Sequence, residues 1–388
     1  MAVKKRNVRK RREKKKEKKK PKASVYFDYN LLFIVIFLVC FGLVMLYSSS
    51  AYIAANKFQD SAYYLKEQIK KGVLFGGVGM IAFTKMDYHI WKKLSPLVYV
   101  GSILLCVAVM TPWFGDSANG SSRWFVLGPV RFQPSEIAKI SVIICLATIL
   151  EYSVKNLKKG INLVKIFGIL SPLIVVVAIS NLSTGIIILG IAVCMLFVAS
   201  PKYSHFFITA GVCALGAGVL ILLFPYRLGR VTTWLHPDQA TSDDIYQTMQ
   251  GLYAIGSGGL FGKGLGESLQ KMGNVPESQN DMIFTIVCEE LGLFGAISVI
   301  LLFMLFVWRM MVIANNARDL FGALIVVGVM AHIALQVILN IAVVTATIPN
   351  TGVVLPFFSY GGTSYAFLLC EIGLVLSVSK GIRLESIG

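Results

Sequence analysis

Apolar residues in this chain are gathered into long stretches divided by short polar breaks. A helix needs about 17 to 25 such residues to cross the hydrocarbon core of a bilayer. Stretches of that kind lie near positions 31–52, 66–84, 95–113, 135–150, 162–180, 183–200, 205–224, 282–308, 320–343 and 361–379. The pattern predicts an all-α integral membrane protein of about ten transmembrane helices. The fifth and sixth are separated only by Asn181, Ser183 and Thr184, and a single helix there would move every later loop to the other side. Two connections are long: residues 112–134, and residues 225–281 between the seventh and eighth spans. The second far exceeds an ordinary connection, which points to function, and short or re-entrant helices in the outer leaflet are expected in it.

Composition agrees with lipid as the solvent. The 388 residues are 56% hydrophobic with a mean hydropathy of +0.70, which excludes a water-soluble domain. A net charge of +17 spread over a folded surface would suggest nucleic acid. However, fourteen Lys and Arg from Lys4 to Lys22, against Glu13 and Glu17, put +12 of it in the tail. No nucleic-acid partner is therefore expected. Residues 1–28 read as a disordered basic tail, either a topology signal or a tether to anionic lipid or an acidic partner. The apolar run after it is too long for a cleaved signal peptide. Lys85, Lys92, Lys93, Lys155, Lys158, Lys159, Lys202, Arg309, Arg318, Lys380 and Arg383 all fall in connections on the tail's side if there are ten spans. Because cytoplasmic loops hold the Lys/Arg excess, both termini are expected in the cytoplasm. Residues 29–380 then form one membrane domain and 381–388 a short tail. The seven cysteines lie in apolar stretches without a CxxC pair and read as small core residues.

Polar residues inside these stretches carry the candidate chemistry, because an ionisable group at mid-bilayer costs about 2.5 kcal/mol or more. Glu136 and Lys139 are spaced i,i+3 at the start of the fourth span, which permits an ion pair. That pair either has a role or merely locks helices. Pro134 and Ser135 before them read as a helix start. Asp281 opens the eighth span, as a helix cap or as a functional carboxylate. Glu289 and Glu290, two turns deeper, must point in different directions, so at least one faces protein or water. His332, Gln336 and Asn340 form a polar stripe on the ninth span, a hydrogen-bonded seam more readily than a metal site. The glycines of GSGGLFGKGLG, Gly256 to Gly266, lack the strand and the GK[ST] ending of a phosphate-binding loop. They read as flexible or re-entrant backbone lining a cavity.

Four segments together resemble the FtsW/RodA family, also called SEDS proteins. They are NGSSRWFVLGPVRFQPSEIAK (Asn119 to Lys139), GSGGLFGKGLGES (Gly256 to Ser268), VPESQNDMIF with EELG (Val275 to Gly292), and IPNTGVVLPFFSYGGTS (Ile348 to Ser364). The resemblance covers nearly the whole chain after the tail. It implies a peptidoglycan glycosyltransferase that polymerises lipid II into β-1,4-linked glycan strands at the outer face of the bacterial cytoplasmic membrane. The family's essential aspartate falls on Asp281, and its fourth-span Glu and Lys on Glu136 and Lys139. Glu289, Glu290, Ser359, Tyr360, Gly361 and Gly362 fall in the matched motifs as substrate-binding or supporting residues. Where many members carry a PDxGT segment, this chain has Ser180, Asn181, Leu182, Ser183 and Thr184, without the carboxylate.

Such a reaction inverts the anomeric carbon of a lipid diphosphate once and needs one general base for the acceptor hydroxyl, for which Asp281 is the candidate. Charge developing on the diphosphate asks for cations. Arg123, Arg131, Lys139, Arg227, Arg230, Lys263 and Lys271 are the available suppliers. No tightly bound cofactor is expected, and the chemistry leaves room for a divalent cation beside the diphosphate. The resemblance further implies a class B penicillin-binding transpeptidase as partner, other divisome membrane proteins, and work at the division septum. A lipid II flippase and a non-catalytic division scaffold are the rival readings.

Overall fold

The computed structural model describes residues 26–111, 115–118, 121–127, 130–154, 160–200, 203–237 and 242–382. Residues 1–25 of the expected 1–28 tail and 383–388 of the expected 381–388 tail lie outside the described residues. Thirteen α-helices and one small sheet are described. They are α1 (Tyr29–Phe58), α2 (Tyr63–Glu67), α3 (Phe75–Lys85), α4 (His89–Val109), β1 (Gly115–Ala118), β2 (Ser121–Leu127) and β3 (Val130–Phe132). These are followed by α5 (Pro134–Ser153), α6 (Gly160–Ser180), α7 (Leu182–Ala199), α8 (Tyr203–Leu223), α9 (Pro225–Leu235) and α10 (Ser242–Ser257). The last three are α11 (Ile283–Asn315), α12 (Leu320–Val344) and α13 (Thr363–Ser379). A π-helical turn, Gln68–Leu74, joins α2 to α3.

Every apolar stretch falls on a helix, or for 66–84 on the run from α2 to α3. Among the described residues six helices are long and apolar enough to cross a membrane, or seven if Ala214–Leu223 and Arg227–Leu235, bent by 102°, are one span. The run from α2 to α3 is divided by its π turn, and α5 carries Glu136, Lys139 and Glu151. This is a multi-pass membrane protein. Asn181 does end one helix and start another: its backbone is extended (φ −147°, ψ 96°) and its side chain accepts from Thr184 N. The predicted connection 112–134 contains the antiparallel order β1-β2-β3, and 225–281 contains α9 and α10.

Helix α12 is the most buried candidate span. It packs against α5, α7, α11 and α13. Helices α3 and α13 approach backbone to backbone, since a Cβ on Gly373 would stand 2.5 Å from the Met80 carbonyl oxygen. At one end of the bundle Asp28 caps α1 by accepting from Leu31 N at 2.8 Å and pairs with Arg309 of α11 at 2.7 Å. At the other end the loops 258–282 and 345–362 meet.

Candidate active site

The segment VPESQND forms a tight turn, with Glu277 left-handed (φ 56°) and Asn280 N bonded to the Glu277 carbonyl at 2.9 Å. Three elements hold this turn. Ser278 Oγ donates to the Ser49 carbonyl of α1 at 3.2 Å, Ser359 Oγ to the Asn280 carbonyl at 2.6 Å, and Asn340 Nδ2 to the Asp281 carbonyl at 2.7 Å. Tyr360 N adds a bond to the Gln279 carbonyl at 2.9 Å. The amides of Gly361 and Gly362 donate to Gln68 Oε1 at 3.1 and 3.0 Å. Gln68 is fully buried in the π turn, a helix distortion often found at functional sites.

All of these bonds use backbone groups, so none of them occupies the Asp281 carboxylate. The residue is 9% exposed, and its Oδ1 has no hydrogen-bond partner among the described residues. The N-cap of α11 is Met282, without a side-chain cap, so Asp281 is not the capping aspartate of that helix. Burial, and after it the like charge of Glu277, pushes the Asp281 carboxyl up to about 6, against nearby backbone amides and Arg230, which lower it. Gly352 (φ 67°) lies beside this carboxylate: a Cβ there would stand 3.8 Å from Oδ2, in ordinary van der Waals contact.

Helix α9 brings its cations to the same region. Arg230 Nη1 donates to the Asn350 carbonyl at 2.9 Å, and Arg227 Nη2 to the Ala178 and Ile179 carbonyls at 2.8 and 2.9 Å at the end of α6. Ser183 Oγ, from the α6–α7 break, reaches the Thr351 carbonyl at 2.7 Å. Arg131 stacks over Trp124 at 5.0 Å within the sheet. The side chain of Arg123 lies outside the described residues.

The remaining sequence candidates form other clusters. Glu136 and Lys139 do pair, at 2.9 Å, with Lys139 almost wholly buried. No hydrogen bond or ion pair joins them to Asp281 among the described residues. Glu289 and Glu290 are both fully buried and diverge. Glu289 accepts from Lys263 Nζ at 2.7 Å, from Ser268 Oγ, and from Leu269 N at 3.2 Å. Glu290 accepts from Ser48 Oγ and Lys271 Nζ, both at 2.7 Å. These two lysines, 26 and 19 positions away in the chain, are thereby taken up as counter-charges.

The glycine-rich loop proves to be packing backbone. Helix α11 breaks at Gly292 (φ 66°, ψ −165°), and the freed Glu289 and Glu290 carbonyls accept from Lys263 N and Gly264 N at 2.9 and 3.0 Å. A Cβ on Gly258 would sit 2.0 Å from the Cys288 oxygen. The glycines therefore let two backbones exchange hydrogen bonds where lipid would satisfy neither.

In the polar stripe, His332 Nδ1 pairs with Glu371 Oε2 at 2.7 Å, and Asn340 holds Asp281. Two S-x-x-K spacings occur, and neither is a nucleophile–base pair. Ser268 and Lys271 serve Glu289 and Glu290, while Ser377 donates to the Met86 carbonyl and Lys380 to that of Thr84. Six described cysteines are free. Among the described residues no three His, Cys, Asp or Glu converge as a metal-ligand set. The sequence does not single out Gln68, Gly352 or Glu277; for Gln68 the available signal is an amide at the head of an apolar run.

The family model for the cell cycle proteins FtsW, RodA and SpoVE matches residues 29–383. The chain belongs to this family. It is 40% identical over 363 residues to the stage V sporulation protein E of Bacillus subtilis, covering 92% of this chain and 98% of the relative. It is 36% identical over 361 residues to a protein of Geobacter sp. strain M18 named probable peptidoglycan glycosyltransferase FtsW, covering 92% and 98%. The fold matches a chain from a structure described as structural coordination of polymerization and crosslinking by a peptidoglycan synthase complex. That match has a TM-score of 0.74 at 25% identity over 91% of this chain and 97% of the other. The crystal structure of Thermus thermophilus RodA matches with a TM-score of 0.68 at 24% identity over 92% and 98%.

Proposed function

We propose that this FtsW/RodA/SpoVE-family chain is a peptidoglycan glycosyltransferase. In this reading it crosses the bacterial cytoplasmic membrane ten times, has both termini in the cytoplasm, and polymerises lipid II at the outer face. The observation that carries this reading is Asp281: a buried carboxylate in a turn fixed from α1, α12 and the 355–362 loop, with one oxygen unpartnered and its pKa pushed up to about 6. A carboxylate held that way is poised to accept a proton near neutral pH. The acceptor sugar's 4-hydroxyl gives its proton to Asp281 while its oxygen attacks the anomeric carbon. The bond from that carbon to the diphosphate breaks in the same step, inverting the centre and giving a β-1,4 link. Arg230, close enough to lower the Asp281 pKa, stabilises the departing diphosphate.

The names carried by the Geobacter relatives and the polymerization named for the synthase complex support the same reaction. A class B penicillin-binding transpeptidase and other divisome membrane proteins complete the proposal, with the division septum as the place of work. Spore-wall synthesis is the second reading, favoured by 40% identity to the sporulation protein against 36% to the first FtsW relative. Any divalent cation is placed on the substrate diphosphate, and a chelator added during polymerisation tests that. The decisive experiment supplies purified protein with lipid II and no other transferase. Polymer that disappears with Asp281→Asn supports the enzyme; no polymer from a folded wild type turns the proposal toward transport or scaffolding.

A further inference from the structure

At the end of the bundle opposite Asp281, four helix ends surround a cavity of about 220 Å³, far more than the 10–15 Å³ or so that one ordered water needs. Lys85 closes α3, His89 begins α4, Arg318 precedes α12 and Lys380 caps α13, and all four line it. The lining therefore holds three permanent cations against one carboxylate, Asp87.

That carboxylate is already engaged, accepting from His89 N at 2.9 Å and facing His89 Nδ1 at 2.6 Å. The neighbouring Asp319 is engaged as well, by Gly322 N at 2.8 Å, by Tyr88 Oη, and by His89 Nε2 at 3.1 Å. Lys380 uses one of its three donors on the Thr84 carbonyl, at 2.9 Å. The side chains of Lys85 and Arg318 make no hydrogen bond or ion pair with any described residue; Arg318 acts on Asp87 through space, helping the His89 hydrogen bonds to hold its carboxyl below the ordinary value. The acids at this site are thus hydrogen-bonded internally, while Lys85 and Arg318 keep all their side-chain donors and Lys380 keeps two of its three, which is the arrangement that receives an anion from outside.

The position identifies the anion. The cavity sits where apolar helices end, which is where a membrane meets water, and Phe27, just ahead of α1, lies 5.8 Å from Lys380 Nζ. The anion concentrated at that boundary is the phosphate of lipid headgroups, and basic pockets between spans on the cytoplasmic side bind them. We propose that Lys85, Arg318 and Lys380 form a binding site for the phosphate of an anionic phospholipid headgroup in the inner leaflet. It rests on the proposed topology only for the choice of leaflet; binding itself is measured apart from polymerisation.

Native mass spectrometry of the full-length protein, titrated with dioleoylphosphatidylglycerol or dioleoylphosphatidylcholine, tests it. The wild type should retain the anionic lipid with the lower Kd. Lys85→Gln with Arg318→Gln should weaken that binding about 30-fold, since each cation near an anionic surface contributes about a factor of five. Lys165→Ala, which removes an exposed cation outside the cavity, should change nothing, and a melting temperature near that of the wild type shows that the double variant is folded. Lys85→Ala alone, expected to lose about fivefold, provides the same reading should the double variant melt early. Unaltered binding by the cavity variants overturns the proposal, as does an equal loss in Lys165→Ala. Displacement of the lipid by equimolar inorganic phosphate assigns the site to free phosphate and overturns the lipid reading.

Discussion

Asn340 donates its side-chain amide to the Asp281 carbonyl at 2.7 Å and to the Val353 carbonyl at 2.8 Å. One buried residue of α12 thus fixes both the turn that carries the carboxylate and the loop that carries Gly352 beside it. Asn340→Leu leaves two buried carbonyls without a donor, at about 1–3 kcal/mol each. It should lower kcat by up to about 10²-fold, the effect of a small displacement of a catalytic group, with KM nearly unchanged. Steady-state polymerisation kinetics together with thermal melting check this; a raised KM at normal kcat would place Asn340 in substrate binding.

The pKa of Asp281 makes a prediction about pH. The carboxylate accepts a proton only when ionised, so kcat/KM should fall below an apparent pKa near 6. Glu277→Gln removes a like charge that raises this value and should move the acidic limb to lower pH. A limb that stays in place would remove Glu277 from the account.

Stability should run in the opposite direction to activity. The folded carboxyl holds its proton more tightly than the unfolded one, from 3.8 up to about 6. Its contribution is therefore fully present below about pH 3.8 and is lost as pH rises through about 6. Asp281→Asn should melt higher than the wild type at pH 7.5, with the gap closing toward pH 4. No gap at pH 7.5 would contradict the burial described for this residue.

Glu290 supports the fold from a distance. Glu290→Gln leaves Lys271, itself buried, without a counter-charge, and breaking such a pair costs about 3–5 kcal/mol. The variant should lose melting temperature and activity together. Full thermal stability with no activity would instead assign Glu290 to the chemistry.

Much of the fold is legible in the sequence, because lipid allows a crossing helix few residues other than apolar ones. The break at Asn181 stays open in the sequence, because Asn, Ser and Thr also sit inside membrane helices; the extended backbone of Asn181 and its cap on Thr184 N decide it. The divergence of Glu289 and Glu290 follows from helical geometry alone. What they bind does not, since Lys263, Lys271 and Ser48 reach them through the loop fold and across to α1. The strands at 115–132 are short and carry no long apolar signal. The π turn that presents Gln68 reads locally as ordinary helix. For Asp281, sequence left capping and catalysis open; the missing side-chain cap at α11 and the unpartnered Oδ1 depend on tertiary contacts from α12 and the 355–362 loop.

The proposed chemistry rests on Asp281 taking the acceptor's proton. The most direct test is the rate of lipid II polymerisation by purified Asp281→Asn beside the wild type, with melting curves confirming that both are folded. Loss of a general base lowers the rate by about 10² to 10⁴, and a fall within that range is expected in a protein at least as stable as the wild type at neutral pH. A folded Asp281→Asn protein that polymerises at more than about a tenth of the wild-type rate would contradict it.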